Sequence, residues 1–251
     1  MASSNLPLQL TSFIGRKQEM TAVEQILSTS RLVTLTGLGG CGKTRLAIQL
    51  ANRVSEGYKD GVCFAGLASL NDPGLIPQLI VESLNLRLME NQPLLEGLKR
   101  FLRPRQLLLV LDNCEHLRAT CVEFAQQLLS AAPEITILAT SREALGISGE
   151  MIYPLSGLAL PAAARSAGGG PPEQPDPREL MAYDAVHLFV ERAGAFSPHF
   201  KLTRDNALTI TEICSNLDGL PLALELASAR TNVLTIQEIT SHLNNRFSFL
   251  S

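Results

Sequence analysis

The chain has 251 residues, 45% of them hydrophobic and 18% charged, which suits one large or two modest globular domains and argues against wholesale disorder. A formal net charge of -3 argues against bulk electrostatic binding to nucleic acid. Cys41, Cys63, Cys114, Cys121 and Cys214 are odd in number and include no C-x-x-C pair, and the four histidines lack metal-ligand spacing, so a reduced compartment is expected rather than a disulfide framework or a zinc site.

Residues 1–10 read as an irregular lead-in, followed by Phe13-Ile14-Gly15-Arg16. Met20, Val23, Ile26 and Leu27 then form a helical stripe over 17–27. By pattern alone, Arg16 and Glu19 are ordinary surface residues at a helix start. Leu32-Val33-Thr34-Leu35-Thr36 is short, apolar and β-branched, the signature of a buried strand.

Gly37-Leu38-Gly39-Gly40-Cys41-Gly42-Lys43-Thr44 follows and fits G-x-x-x-x-G-K-[ST]. Leu46, Ala47, Leu50 and Val54 then recur at helical spacing. Strand, glycine loop and helix together make a phosphate-binding loop. The glycines admit positive φ and close approach, and successive N–H groups face one concavity at the positive end of a helix. Lys43 offers a mobile charge for the β- and γ-phosphates. The Thr44 hydroxyl suits Mg²⁺, which prefers oxygen ligands.

A second strand is expected over 62–67, a turn at Asn71-Asp72-Pro73-Gly74, and helices over 75–85 and 94–102. Lys99, Arg100, Arg103 and Arg105 cluster on the latter and read as a solvated face. Leu107-Leu108-Leu109-Val110-Leu111 then ends in Asp112. Ligands of open parallel sheets bind at strand carboxyl ends, which places Asp112 beside the Mg²⁺ of a bound nucleotide. Asn113 can orient a water but cannot take its proton. Glu115 could substitute as a base, although a helix N-terminal charge is the simpler reading.

A helix over 118–130 presents Cys121, Phe124, Ala125, Leu128 and Leu129. A strand over 135–140 leads to Ser141-Arg142, where an arginine is placed to read a γ-phosphate. Residues 151–155 make a last strand. Residues 161–177 are rich in Ala, Gly and Pro and read as a flexible linker. Helices are expected over 179–195, 204–215, 218–230 and 235–245, with Pro221 near the start of the third. No repeat of 20–50 residues occurs, nor any N-terminal leader or run of 18 apolar residues, so a cytoplasmic protein without membrane contact is expected.

The expected fold is therefore α/β. A P-loop NTPase domain over 1–160, with a mainly parallel five-stranded sheet flanked by helices, precedes the linker at 161–177 and a small all-helical domain at 178–251.

Five stretches are Leu10-Thr11-Ser12-Phe13-Ile14-Gly15-Arg16, the phosphate loop, Leu109-Val110-Leu111-Asp112-Asn113-Cys114-Glu115-His116, Ala139-Thr140-Ser141-Arg142-Glu143-Ala144-Leu145, and Asp218-Gly219-Leu220-Pro221-Leu222-Ala223-Leu224-Glu225-Leu226. On these the chain resembles, over 8–250, the NB-ARC or AP-ATPase branch of the STAND signal-transduction NTPases. It is more closely similar to the ATPase region of large bacterial LuxR-type transcriptional regulators. The resemblance implies that the strand ending at Thr140 lies between the phosphate-loop strand and the Asp112 strand. It implies that Phe13, Ile14, Gly15 and Arg16 lie near adenine and ribose, and that Arg142 senses the γ-phosphate. It implies too that Pro221 packs on the base as the helical domain closes over the nucleotide. The implied set for ATP or ADP is thus Phe13, Ile14, Gly15, Arg16, Gly37, Gly39, Gly40, Cys41, Gly42, Lys43, Thr44, Arg45 and Pro221. Asp112 and Arg142 carry the chemistry, and Thr44 and Asp112 hold Mg²⁺.

Family members continue into a winged-helix domain, a repeat sensor and a DNA-binding helix-turn-helix. The chain stops at Ser251, so either it is a truncated or excised piece, or self-association and partners on other chains are expected. The leading functional expectation is a nucleotide-driven switch of a transcriptional regulator, with slow or absent hydrolysis because of Asn113. A metabolic P-loop ATPase or small-molecule kinase is the alternative. No L-S-G-G-Q-like signature precedes Asp112, which disfavours a transporter ATPase. Direct DNA binding is a third reading; the helix at 235–245 offers only His242, with Arg246 just beyond, for phosphates and bases.

Overall fold

The computed structural model describes residues 3–87, 93–161 and 175–247. The chain divides into two compact units. Met1–Phe13, Lys17–Gly39 and Lys43–Leu155 form the first; Ile14–Arg16, Gly40–Gly42 and Ser156–Ser251 form the second.

The first unit runs β1 (Ser3–Ser4), α1 (Lys17–Thr29), β2 (Leu32–Thr36), α2 (Lys43–Val54), β3 (Gly61–Gly66), α3 (Ile76–Ser83), α4 (Leu94–Leu102), β4 (Leu108–Asp112), α5 (Arg118–Ala131), β5 (Thr136–Ser141) and β6 (Met151–Pro154). The strands form one sheet in the order β1-β3-β4-β5-β2-β6, and every neighbouring pair is parallel. β4 and β5 are buried along their whole length. That explains their unbroken apolar runs, because parallel strands are covered by helices on both faces. β5 lies between β2 and β4, as the resemblance implies.

The five expected strands are all present, and the described sheet gains a sixth. Ser3–Ser4, expected as irregular lead-in, pairs with β3 through Ser3–Gly61 and Ser4–Val62. A two-residue polar strand has no sequence signature. Asn5 extends the pairing with its side chain: its amide donates to the Phe64 carbonyl (2.9 Å) and accepts from the Phe64 N–H (2.7 Å), as a backbone unit would.

The helices pack as their stripes dictate, with informative exceptions. α1 buries Met20, Val23 and Leu27. α2 buries Ile48 and Ala51 as well as Leu46, Ala47 and Leu50, whereas Val54 stays partly exposed. The phosphate-loop helix is thus enclosed on a wider face than one stripe. α4 buries Leu98 and Leu102. Of its basic cluster, Lys99 meets Glu96 and Gln127, and Arg105 meets Asp60 (2.6 Å) while lying 4.1 Å over the Phe101 ring. Arg100 and Arg103 are exposed.

The second unit contains α6 (Pro177–Leu180), α7 (Asp184–Phe196), α8 (Arg204–Asn216), α9 (Pro221–Ala229) and α10 (Ile236–Phe247). α7 packs on α9 and α8 on α10, around Val186, Phe189, Ile210, Ile213 and Leu224. The single helix expected over 179–195 is two. Asp176 caps a one-turn helix that starts at Pro177, and Tyr183 is extended before α7 restarts at Asp184. Hydrophobic periodicity carried across that break and hid it. The expected linker at 161–177 falls outside the described residues over 162–174.

Candidate functional site

In the first unit the carboxyl ends of β2, β4 and β5 converge chemically. Asp112, the last residue of β4, is 7% exposed, and its Oδ1 accepts two short hydrogen bonds. One comes from the Thr44 hydroxyl on the first turn of α2, the other from the Thr140 hydroxyl on β5, both at 2.7 Å. Thr140 Oγ1 in turn accepts the Asn113 N–H at 2.9 Å. Strand order explains this: β5 neighbours both β4 and β2, so its end reaches the carboxylate directly. Lys43, 8% exposed, donates from Nζ to the carbonyls of Gly37 (2.9 Å) and Leu38 (3.1 Å). Gly37 takes a φ of 151°, and Gly40 and Gly42 take 79° and 95°, backbone that side chains resist. Gly39 has no such constraint, and a Cβ there would meet nothing within 4 Å.

The other expected residues fall in separate places. Arg45 donates to the carbonyls of Thr11 and Ser12, each 2.7 Å away, and so holds the segment that leads to Phe13. Arg142 has 69% of its side chain exposed, and its Nε lies 3.5 Å from Glu115 Oε1. A cleft of about 370 Å³ beside this pair is lined by Glu115, His116, Arg118, Ser141, Arg142 and Glu143. A larger cleft, about 670 Å³, opens between Leu27, Val54, Tyr58 and Thr136. It lies at the amino end of β5, whereas parallel sheets bind ligands at strand carboxyl ends, so the chemistry is not placed there.

In the second unit, Ile14 packs against the helical core. Arg16, 4% exposed with φ of 62°, donates its backbone N–H to Asp184 (3.2 Å) and its Nη2 to the carbonyls of Cys41 (3.1 Å) and Ser156 (2.6 Å). Pro221 is the first residue of α9, and its ring stands against Gly42. The Leu222 N–H donates to the Gly40 carbonyl at 3.2 Å. Gly219, at a φ of 62°, passes against Leu158, whose N–H donates to its carbonyl at 2.8 Å.

Three residues of these arrangements were not read as site residues from sequence: Thr140 as a hydroxyl, His116 and Asp184. A threonine ending a buried strand was a usable signal for the first. Asp184 lies 168 positions from Arg16 and left none.

A glycine loop on β2, a carboxylate ending β4 and an intervening β5 define a P-loop NTPase fold, which implies nucleotide binding. Residues 25–145, just under half of the chain, match the family model described as an AAA domain. The chain is 37% identical over 242 residues to an uncharacterized protein of Mycobacterium tuberculosis, covering 96% of this chain and 56% of the relative. It is 38% identical over 226 residues to a second protein of that organism, provisionally named an HTH-type transcriptional regulator, covering 90% of this chain and 23% of the relative. The chain thus spans about half the length of the first relative and under a quarter of the second. Among solved structures it is similar to a Pyrococcus horikoshii signal-transduction ATPase with numerous domains and a tetratricopeptide repeat sensor. The TM-score is 0.58 at 16% identity, over 96% of this chain and 33% of that one, a likeness of fold. Among the described residues, no helix is long and apolar enough to cross a membrane.

Proposed function

We propose that the chain is the nucleotide-responsive module of a STAND-type transcriptional regulator, of the NB-ARC-like and LuxR-type kind, binding ATP or ADP with Mg²⁺ and hydrolysing ATP slowly. The observation that carries it is the Asp112 carboxylate, buried at the strand ends and joined to the phosphate-loop Thr44 at 2.7 Å. A hydroxyl and a carboxylate are hard oxygen donors, the set that suits Mg²⁺. Among the described residues no three of His, Cys, Asp or Glu gather to hold a metal by themselves. Thr44 and Asp112 are the residues that would hold Mg²⁺ together with a bound nucleotide, and the ion would supply neutralisation of phosphate charge there. Lys43 supplies the mobile cation.

Slow turnover follows from Asn113, which has no proton-accepting carboxylate to offer a water. The role of switch follows from state-dependent binding: a ligand moves a conformational equilibrium only by its differential affinity for the two states. Arg142 is the residue assigned to the γ-phosphate, and Arg16 and Pro221 to the nucleoside. Support for a regulatory setting comes from the relative named for transcriptional regulation and from the fold shared with the repeat-bearing signal-transduction ATPase. A metabolic kinase or ATPase remains the second class, favoured if one metabolite stimulates ADP release.

Calorimetric titration with Mg²⁺-ADP and Mg²⁺-ATP tests the proposal, with Asp112→Asn as control. Micromolar or tighter binding that Asp112→Asn weakens only when Mg²⁺ is present supports it. Binding by Asp112→Asn that equals wild type with and without Mg²⁺ contradicts the metal assignment.

A further inference from the structure

Asn113 follows the Asp112 carboxylate and sits at a φ of 66°, in left-handed backbone that asparagine tolerates better than most residues. Its side chain is held from outside the strand. The Asn113 Nδ2 lies 3.2 Å from His116 Nδ1, and His116 Nε2 lies 3.0 Å from the carbonyl of Leu70, in the segment after β3.

With the ring neutral, these contacts fix the hydrogen positions by elimination. A carbonyl only accepts, so the His116 nitrogen facing Leu70 must carry the proton. In the neutral ring the other nitrogen is then bare and accepts. The Asn113 group facing that nitrogen must be its NH₂. The reverse tautomer would set a ring lone pair against the Leu70 carbonyl oxygen. Asn113 Oδ1 accepts no hydrogen bond from the described residues, which leaves the acceptor end of the amide available to water. Meanwhile the Asn113 backbone N–H is tied to Thr140, and Thr140 to Asp112. The residue is thus anchored at both ends, its backbone to the carboxylate node and its side chain to His116.

We propose that His116 is a positioning residue. It locks the Asn113 amide with nitrogen turned to the imidazole and oxygen without a partner among the described residues, so that a water beside Asp112 meets an acceptor of fixed orientation. The assignment rests on reading Asp112 as part of a nucleotide site. An amide oxygen orients such a water without taking its proton, in keeping with slow hydrolysis.

The test combines a spectroscopic signature with a rate. Long-range ¹H–¹⁵N correlation on the full chain reads the His116 tautomer, and water exchange of the Asn113 side-chain NH₂ reads the lock. The expected result is the Nε2–H tautomer. Exchange should rise about tenfold or more in His116→Ala. It should stay near wild type in His116→Asn, whose amide oxygen can replace Nδ1. With Mg²⁺-ATP, His116→Ala should lower the single-turnover hydrolysis rate about tenfold at unchanged nucleotide affinity, with His116→Asn restoring most of it. A ring protonated on Nδ1, or unchanged Asn113 exchange in His116→Ala, overturns the lock. Hydrolysis that is absent in the wild type, or equal in all three proteins, overturns the role in orienting water. Failure of the wild type to bind nucleotide would instead overturn the nucleotide reading, and the ligand-free spectra separate the two failures.

Discussion

Thr140→Val removes one hydroxyl and keeps the shape of the side chain, so it isolates the polar node. Thr140 is 1% exposed; its Oγ1 donates to Asp112 at 2.7 Å and accepts from the Asn113 N–H at 2.9 Å. A hydrogen bond to a charged group is worth about 1.5–3 kcal/mol, and a stranded buried donor costs about 1–3 kcal/mol. Asp112 keeps its bond from Thr44, and Asn113 is only half-buried, so the low ends of both ranges apply. Burying a methyl in place of the hydroxyl returns about 1 kcal/mol. The net expectation is a loss of about 1.5 kcal/mol, or about 3–6 °C in Tm for a chain of this size. Thr140→Ser keeps the hydroxyl and loses one methyl, for about 1 kcal/mol. Urea unfolding followed by far-ultraviolet circular dichroism measures both, since the chain has no tryptophan to report. A valine variant within about 0.5 kcal/mol of wild type, or a serine variant destabilised as much as the valine one, would refute the reasoning.

Other outcomes follow from the same geometry. Lys43→Ala should weaken ADP binding by about 100-fold or more, equivalent to about 2.7 kcal/mol; calorimetry that finds less than a fivefold change would remove the lysine from phosphate binding. Gly219→Ala should destabilise the helical unit by more than about 2 kcal/mol, because it combines a φ of 62° with close approach to the Leu158 backbone. Gly39→Ala, with open space around it, should leave stability within about 0.5 kcal/mol, and equal costs in the two variants would contradict the account. Asp60 accepts from the Gln106 N–H (2.8 Å) and from Arg105 (2.6 Å), and these contacts hold its carboxyl below the ordinary 3.8. A depressed folded value means the contribution is full above the unfolded value and lost as pH falls through the folded one. Asp60→Asn should therefore flatten the fall in stability below about pH 4, measured by urea unfolding across pH, and an unaltered acid limb would count against it.

What the sequence made legible was local. The phosphate loop, its strand and its helix lie within one short stretch, so spacing and periodicity carried them. Asp112 was legible because an apolar run that ends in a carboxylate marks the carboxyl end of a parallel strand. The partners of these groups were not, since they arrive through the fold. Thr140 stands 28 positions from Asp112 and reaches it only because β5 inserts between β2 and β4. His116 met no metal-ligand spacing and so carried no signal, although two contacts fix its tautomer. The break at Tyr183 was masked by apolar residues that stay in phase across it, and the Ser3–Ser4 strand depends on the edge of β3 rather than on its own composition.

The most direct test of nucleotide binding is to denature freshly purified protein and chromatograph what it releases, with Lys43→Ala alongside. The account predicts close to one ADP per wild-type chain and none from the variant. A wild type that releases no nucleotide, and that also fails to bind added Mg²⁺-ATP at millimolar concentration, would contradict its central claim.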